Sequence, residues 1–272
     1  MNKKLVVAMS VYRTDTVEYV TEAIDSILSQ SYFNLDLFIE VDGPINIELR
    51  SMLLEYNNNE SIVVNFNADN KGLATRLNDI IEKSLVEKKY QFLARMDADD
   101  ICHPDRFKKQ VEFLINNSDI SVVGSDVQEI SENGEDLFYK KMYASHDELA
   151  RKIIKKCPFN HPSVMFRMSV FEEGFRYKPE LMNTQDYYLW VDLLAAEKKF
   201  ANVNEPLLKF RINDSFHTRR GFKKAMNDLN SRIYAFRKLN VLTLSNVIHT
   251  LNLFLLRIAP TSVKKWAYKN FR

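Results

Sequence analysis

Residues 4–11, KLVVAMSV, form a nearly continuous apolar run rich in valine, the pattern of a strand buried on both faces. After YRTDT the period changes: in VEYVTEAIDSILSQ, Val20, Ala23, Ile24, Ile27 and Leu28 recur at helical spacing. LDLFIEV (35–41) predicts a second strand, stopped by the turn signal DGP. A helix carrying Leu49, Met52, Leu53 and Tyr56 follows, then SIVVNF as a third strand. GLATRLNDIIEKSLVE places Leu73, Leu77, Ile80, Ile81 and Leu85 on one helical face, and YQFLARM predicts a fourth strand. Four strand–helix alternations in about 100 residues predict a doubly wound α/β fold with a mostly parallel sheet.

The second half is less regular. PDRFKKQVEFLINN predicts a helix with Pro104 in its first turn. SVVGSDVQEI, HPSVMFR and PLLKFRI read as strands, with SENGED a turn. SHDELARKIIKK reads as a helix opened by a Ser145/Glu148 capping box, and TQDYYLWVDLLAA as a helix with Thr184 at its cap. From about Arg219 onward the pattern is helical, a C-terminal helical extension.

Composition narrows the class. The 272 residues are 46% hydrophobic and 27% charged, with only 6 Gly and 7 Pro, enough apolar material for one large domain. A formal net charge of +2 gives no reason to expect a nucleic-acid partner. Two cysteines, Cys102 and Cys157, make neither a disulfide framework nor a thiolate zinc site, and they point to a reducing compartment. Arg13 and Asp15 cut the first apolar run too short for a signal peptide, and no apolar stretch is long enough for a spanning helix. Charge is uneven, however. After Asp228 the chain carries Arg232, Arg237, Lys238, Arg257, Lys264, Lys265, Lys269 and Arg272 and no carboxylate. Such basic, aromatic-bearing helices suit an anionic membrane surface, and they equally suit helices packed on the core with solvated cations.

In open α/β sheets ligands bind at the carboxyl ends of the strands. Those ends hold Ser10 to Arg13, Asp42, Asn67 to Gly72, and the acidic trio Asp97, Asp99 and Asp100. Carboxylates this close suit a hard divalent cation, Mg²⁺ or Mn²⁺, with phosphate and water completing the shell. By themselves they also fit a solvated acidic turn whose last Asp caps the next helix.

MSVYRTD, EVDGP, NKGLATRLN, ARMDADD, FNHPSVMFR, QDYYLW and RRG occur in the order found in family 2 glycosyltransferases, which the chain resembles over about residues 4–221. The resemblance implies the GT-A fold, an inverting transfer, and a bacterial O-antigen, capsule or exopolysaccharide setting. It implies a nucleotide-sugar-binding half over 1–100, an acceptor-binding half over 101–216 and basic amphipathic helices over 217–272. Ser10, Val11 and Tyr12 would line the base, Asp42 would accept from a uracil ring, and Asp97 would face the ribose or base. Asn70, Gly72 and Arg76 would form the nucleotide-side loop, Arg76 pairing with diphosphate unless it is a helix surface residue. Asp99 would hold Mn²⁺ or Mg²⁺, with His217 a further ligand. Asp186 would be the catalytic base, although Gln185 stands where the family usually has Glu.

His161 and Trp190 would lie on the acceptor side, Trp190 as a floor or else as a core residue, and Arg219 and Arg220 would clamp a diphosphate. The donor implied is a UDP-linked hexose or N-acetylhexosamine, and the acceptor a polyprenyl-diphosphate-linked sugar at the inner-leaflet surface. That places the chain in the cytoplasm, peripheral on the inner membrane. Two competing readings are a sugar nucleotidyltransferase, against which the glycine-free SVYRTD counts, and a nucleotide-sugar-binding module whose catalysis has lapsed.

Overall fold

The computed structural model describes residues 3–181, 183–212 and 222–259. The first half alternates β1 (Lys4–Val11), α1 (Val17–Leu28), β2 (Leu35–Val41), α2 (Ile47–Tyr56), β3 (Ile62–Phe66), α3 (Leu73–Glu87) and β4 (Tyr90–Met96). The second half continues with β5 (Ile101–Cys102), α4 (Arg106–Asn116), β6 (Ile120–Ile130), β7 (Asp136–Lys140) and α5 (His146–Lys152). A 3₁₀ turn (His161–Ser163) leads to β8 (Met165–Arg167), α6 (Ser169–Glu172), α7 (Gln185–Ala195) and β9 (Lys199–Arg211), and α8 (Phe222–Leu239) and α9 (Leu244–Ile258) close the described chain.

The strands form one sheet in the order β3-β2-β1-β4-β8-β6-β9-β5, with β7 paired to β6. The first four are parallel, as their continuous apolar runs predict. Beyond β4 the sheet is mixed: β8 runs antiparallel to both β4 and β6, and β6 and β9 are parallel. The alternation along β1 explains the double winding. Leu5, Val7, Met9 and Val11 join a core with α1, α2 and α4 on one face. Val6 and Ala8 join the other, with α3, α7 and the aromatic residues around Trp190.

Several predicted elements differ in extent. HPSVMFR yields only a three-residue strand, because Pro162 lies in the 3₁₀ turn and cannot donate to a ladder. The strand predicted over PLLKFRI begins earlier, at Lys199, and runs 13 residues. Its register against β6 shifts around Asp126–Val127, opposite Pro206 and Leu208. Neither β5 nor β7 is legible in the pattern, β5 being only two residues long. Ser145 and Glu148 pair with each other at 3.0 Å, and Ser145 makes no side-chain bond to the helix backbone. Thr184 occupies the cap of α7, also without such a bond.

Candidate active site

The first wall of the site is the carboxyl edge of β1 and β2. Tyr12, Arg13, Asp42, Pro44 and Asn70 line a cleft of about 500 Å³. Three of them, Tyr12, Asp42 and Asn70, were predicted; Arg13 and Pro44 add to the set. Ser10 is half-buried at the end of β1, whereas Val11 is wholly buried and can offer a ligand only its backbone.

Asp42 is 4% exposed and gathers the following loop around itself. Its carboxylate accepts the backbone N–H groups of Lys71 (2.8 Å) and Gly72 (2.9 Å) and the Arg76 Nε at 2.8 Å. The Asn70 side chain donates to the Asp42 carbonyl at 3.3 Å. Gly72, with φ +85°, caps α3 in a conformation L residues rarely adopt, which lets two successive N–H groups turn onto one carboxylate.

The expectation that Arg76 pairs with a diphosphate is corrected. Its guanidinium is buried and spent internally, on Asp42, on Asp79 at 2.9 Å and on the Asp69 carbonyl at 2.5 Å. It holds the loop between β3 and α3 in shape.

The acidic turn after β4 forms the floor. Asp97, Asp99 and Asp100 bring one carboxylate oxygen each within 4.8 Å of the others. Asp100 is fully buried; Oδ1 accepts the Arg211 backbone N–H at 2.9 Å, while Oδ2 has no partner among the described residues. It therefore ties the turn to the end of β9 and does not cap α4, whose cap is Asp105. Arg211 completes this tie: Nε donates to the Asp99 carbonyl at 2.9 Å, Nη1 to the Glu132 carbonyl at 2.6 Å, and Nη2 pairs with Glu22 at 2.6 Å.

Crowding raises the proton affinity of these carboxyls. Burial first, then the charges of Asp97 and Asp15, push Asp99 up to about 7. Burial and the charges of Asp97 and Asp99 raise Asp100 well above the carboxylate range. Asp15 joins the same cluster: it accepts the Tyr12 N–H at 2.7 Å, and burial and the Asp97 charge push it up to about 6. An all-oxygen cluster with a partnerless buried carboxylate oxygen fits a hard divalent cation, which would replace mutual repulsion with attraction.

Arg95 links this floor to the second wall. It is 2% exposed, pairs with Asp97 through Nη2, and leaves Nε and Nη1 without partners among the described residues. Its charge reaches Asp99 and Asp100 on one side and Asp186 and His161 on the other. Asp186 stands in the first turn of α7, half-buried, its carboxylate accepting the Tyr187 backbone N–H. Burial raises its proton affinity, and that hydrogen bond and Arg95 oppose the rise. His161 bonds the Tyr177 hydroxyl at 2.9 Å; burial and Arg95 hold its pKa well below the usual range, so the ring is neutral at neutral pH.

Trp190 is corrected from the cleft to the core. It is fully buried, stacked on Phe166 (5.5 Å between centroids) and edge-on to Phe159 (4.9 Å), so it supports His161 from beneath and offers no floor. His217, Arg219 and Arg220 lie outside the described residues. Sequence reasoning passed over Asp15, Arg95 and Arg211. For the first two a signal existed, since both flank the carboxyl ends of parallel strands. For Arg211, 112 residues from Asp99, none did.

This doubly wound sheet, with an acidic turn at the carboxyl end of its fourth strand and a cleft at the carboxyl edge of β1 and β2, is the fold and site of a GT-A glycosyltransferase. Residues 6–175 match the pattern of Glycosyl transferase family 2, and the chain belongs to that family. Among its relatives, the O-antigen biosynthesis glycosyltransferase WbnJ of Escherichia coli is 33% identical over 76% of this chain and 79% of its own. The UDP-Gal:alpha-D-GlcNAc-diphosphoundecaprenol beta-1,3-galactosyltransferase of E. coli is 26% identical over 98% of this chain and 95% of its own. Among solved structures, the mannosyltransferase PcManGT of Pyrobaculum calidifontis, in complex with GDP-Man and Mn²⁺, superposes with a TM-score of 0.67. It is 12% identical, covering 100% of this chain and 77% of that one.

Proposed function

We propose that the chain transfers a hexose or N-acetylhexosamine from a UDP-linked donor, with inversion, to a hydroxyl of a lipid-diphosphate-linked sugar in surface-polysaccharide synthesis. The observation that carries this reading is the convergence of three parts. Tyr12, Asp42 and Asn70 wall a cleft, Asp15 links Tyr12 to the acidic turn, and Arg95 carries charge from that turn to Asp186. The donor and acceptor classes draw support from the galactosyltransferase relative, whose name specifies UDP-Gal and a diphosphoundecaprenol-linked sugar.

In this reading residues 1–100 hold the nucleotide and residues 101–216 the acceptor. Tyr12 and Asn70 flank the nucleoside, and Asp42 fixes the loop that closes on it. Asp99, with Asp97 beside it, would hold Mn²⁺ or Mg²⁺. A bound cation would offset the charge that develops on the leaving diphosphate. Asp186 takes the proton of the acceptor hydroxyl as its oxygen bonds to the anomeric carbon and the carbon–phosphate-oxygen bond breaks, its electron pair leaving with UDP. The burial that raises the proton affinity of Asp186 suits it to that uptake.

The second half of the proposal is attachment to the cytoplasmic face of the membrane. No described helix is long and apolar enough to cross one. On α9, however, Leu244, Ile248, Leu251, Leu255 and Ile258 form a helical stripe 46–77% exposed, while the helix buries Asn246 and Thr250. A helix with its aliphatic face outward, in a region with eight basic and no acidic residues after Asp228, suits an anionic bilayer.

The test is UDP release from a panel of UDP-sugars, with a synthetic sugar-diphosphate-lipid acceptor, in Mn²⁺ and in chelator. Acceptor-dependent UDP release that needs the cation supports the proposal. Donor binding without UDP release would indicate a lapsed module, and pyrophosphate release a nucleotidyltransferase.

A further inference from the structure

Near Asp186 the chain gathers three cationic side chains. Lys140 is half-buried, and its Nζ donates to the Asn160 Oδ1 at 2.5 Å. Lys156, also half-buried, donates to the Lys141 carbonyl at 3.0 Å and lies over the Tyr143 ring at 5.2 Å. Arg232, from α8, stacks over the Tyr187 ring at 3.9 Å, and its buried Nε has no partner among the described residues. Asn160 is 7% exposed, and its Nδ2 has no partner among the described residues. Among the described residues none of the three cations forms an ion pair.

These groups meet along one segment: the Tyr187 ring beneath Arg232 donates its hydroxyl to the Ile153 carbonyl at 3.1 Å, and Lys156 and Asn160, the latter holding Lys140, follow in the same segment. Lys140, Arg232 and Asp186 all lie close enough to Cys157 to perturb its thiol, which burial first of all pushes up to about 12. Burial lowers the proton affinity of both lysines; the charge of Lys156 adds to this at Lys140, whereas the Asp126 carboxylate opposes it at Lys156. Holding like charges together out of water is costly unless an anion completes them. The unfilled N–H donors of Asn160 and Arg232 are available to such an anion's oxygens. The pattern repeats what the acidic turn shows with the sign reversed.

We infer that Lys140, Lys156, Arg232 and the Asn160 amide form a binding site for a phosphate or diphosphate group, which holds the acceptor by its charged linkage beside Asp186. The inference deepens the proposed function and rests on it for the identity of the acceptor. The same chemistry is offered by an anionic lipid headgroup, so the experiment separates the two. Because Arg232 comes from α8, the C-terminal helices contribute directly to the site and are not only an extension of the sheet domain.

The test is calorimetric titration of the full chain with farnesyl diphosphate in EDTA, where a cation-dependent donor site makes no contribution. Farnesyl diphosphate should bind and farnesol should not. Lys140→Met and Arg232→Gln should each raise Kd about tenfold, the effect of losing one charge-assisted hydrogen bond. Should either variant melt early, Lys156→Met, at a more open position, should raise Kd in the same direction. Folded variants with wild-type Kd, or farnesol binding as tightly as its diphosphate, would overturn the site. So would loss of binding to phosphatidylglycerol vesicles with farnesyl diphosphate binding intact, since the cations would then read headgroups. UDP release by the wild-type chain reports separately on whether it is a transferase at all.

Discussion

Asp99→Asn offers a direct test of the acidic turn, because it should stabilise the cation-free protein while removing its response to the cation. The side chain stays the same size and loses only its charge. In the fold the carboxyl is pushed from 3.8 up to about 7, chiefly by burial and then by Asp97 and Asp15. A raised folded pKa means the native state binds more protons than the unfolded chain between about pH 4 and pH 7, so stability falls as pH rises through that window. Fully expressed above pH 7, the shift corresponds to about 4 kcal/mol. Sharing of charge with Asp97 and Asp100, and water at the half-open turn, reduce this to about 2 kcal/mol.

For a chain of this size that raises Tm by about 5 °C at pH 8 in EDTA. The gain should shrink as pH falls and vanish below about pH 4, where aspartate is itself neutral. In Mn²⁺ the order should reverse, because wild type gains the binding free energy and the variant does not. Thermal melts at pH 4, 6 and 8, with EDTA and with Mn²⁺, read all of this. A variant less stable than wild type at pH 8 in EDTA, with an undiminished Mn²⁺ response, would refute the reasoning.

Three other outcomes follow from the same geometry. Asp186→Asn should lower acceptor-dependent turnover by about two to four decades with little change in UDP affinity, measured by UDP release and calorimetry; near-normal turnover would move the base elsewhere. Arg211→Ala keeps the backbone bond to Asp100 but removes the guanidinium clamp on the Asp99 and Glu132 carbonyls and on Glu22, and should cost about 3 kcal/mol in denaturant unfolding and weaken Mn²⁺ stabilisation. Leu251→Glu on the exposed face of α9 should abolish flotation with anionic vesicles while leaving Tm within a degree or two; undiminished flotation would remove that stripe from the membrane.

The sequence alone determined the first four strands, the helices between them and the acidic trio at their carboxyl edge. These are set by short-range periodicity: a strand buried on both faces must be continuously apolar, and a helix covering it must repeat every three or four residues. The same rule placed Tyr12, Asp42 and Asn70 at one cleft, since parallel strands bring all their carboxyl ends to one edge of the sheet. What only the tertiary structure decided are the contacts between distant positions. Arg76 turned inward because Asp42 and Asp79 together form a cage for it, and Trp190 went to the core because Phe159, Phe166 and Phe200 converge there. Arg211 reached Asp99 across 112 residues because β5 pairs with β9, a two-residue strand that no periodicity can announce. Arg232 reached Tyr187 because α8 packs on α7. Local pattern fixes which face of an element is buried; which charges meet there depends on the packing of elements far apart in the chain.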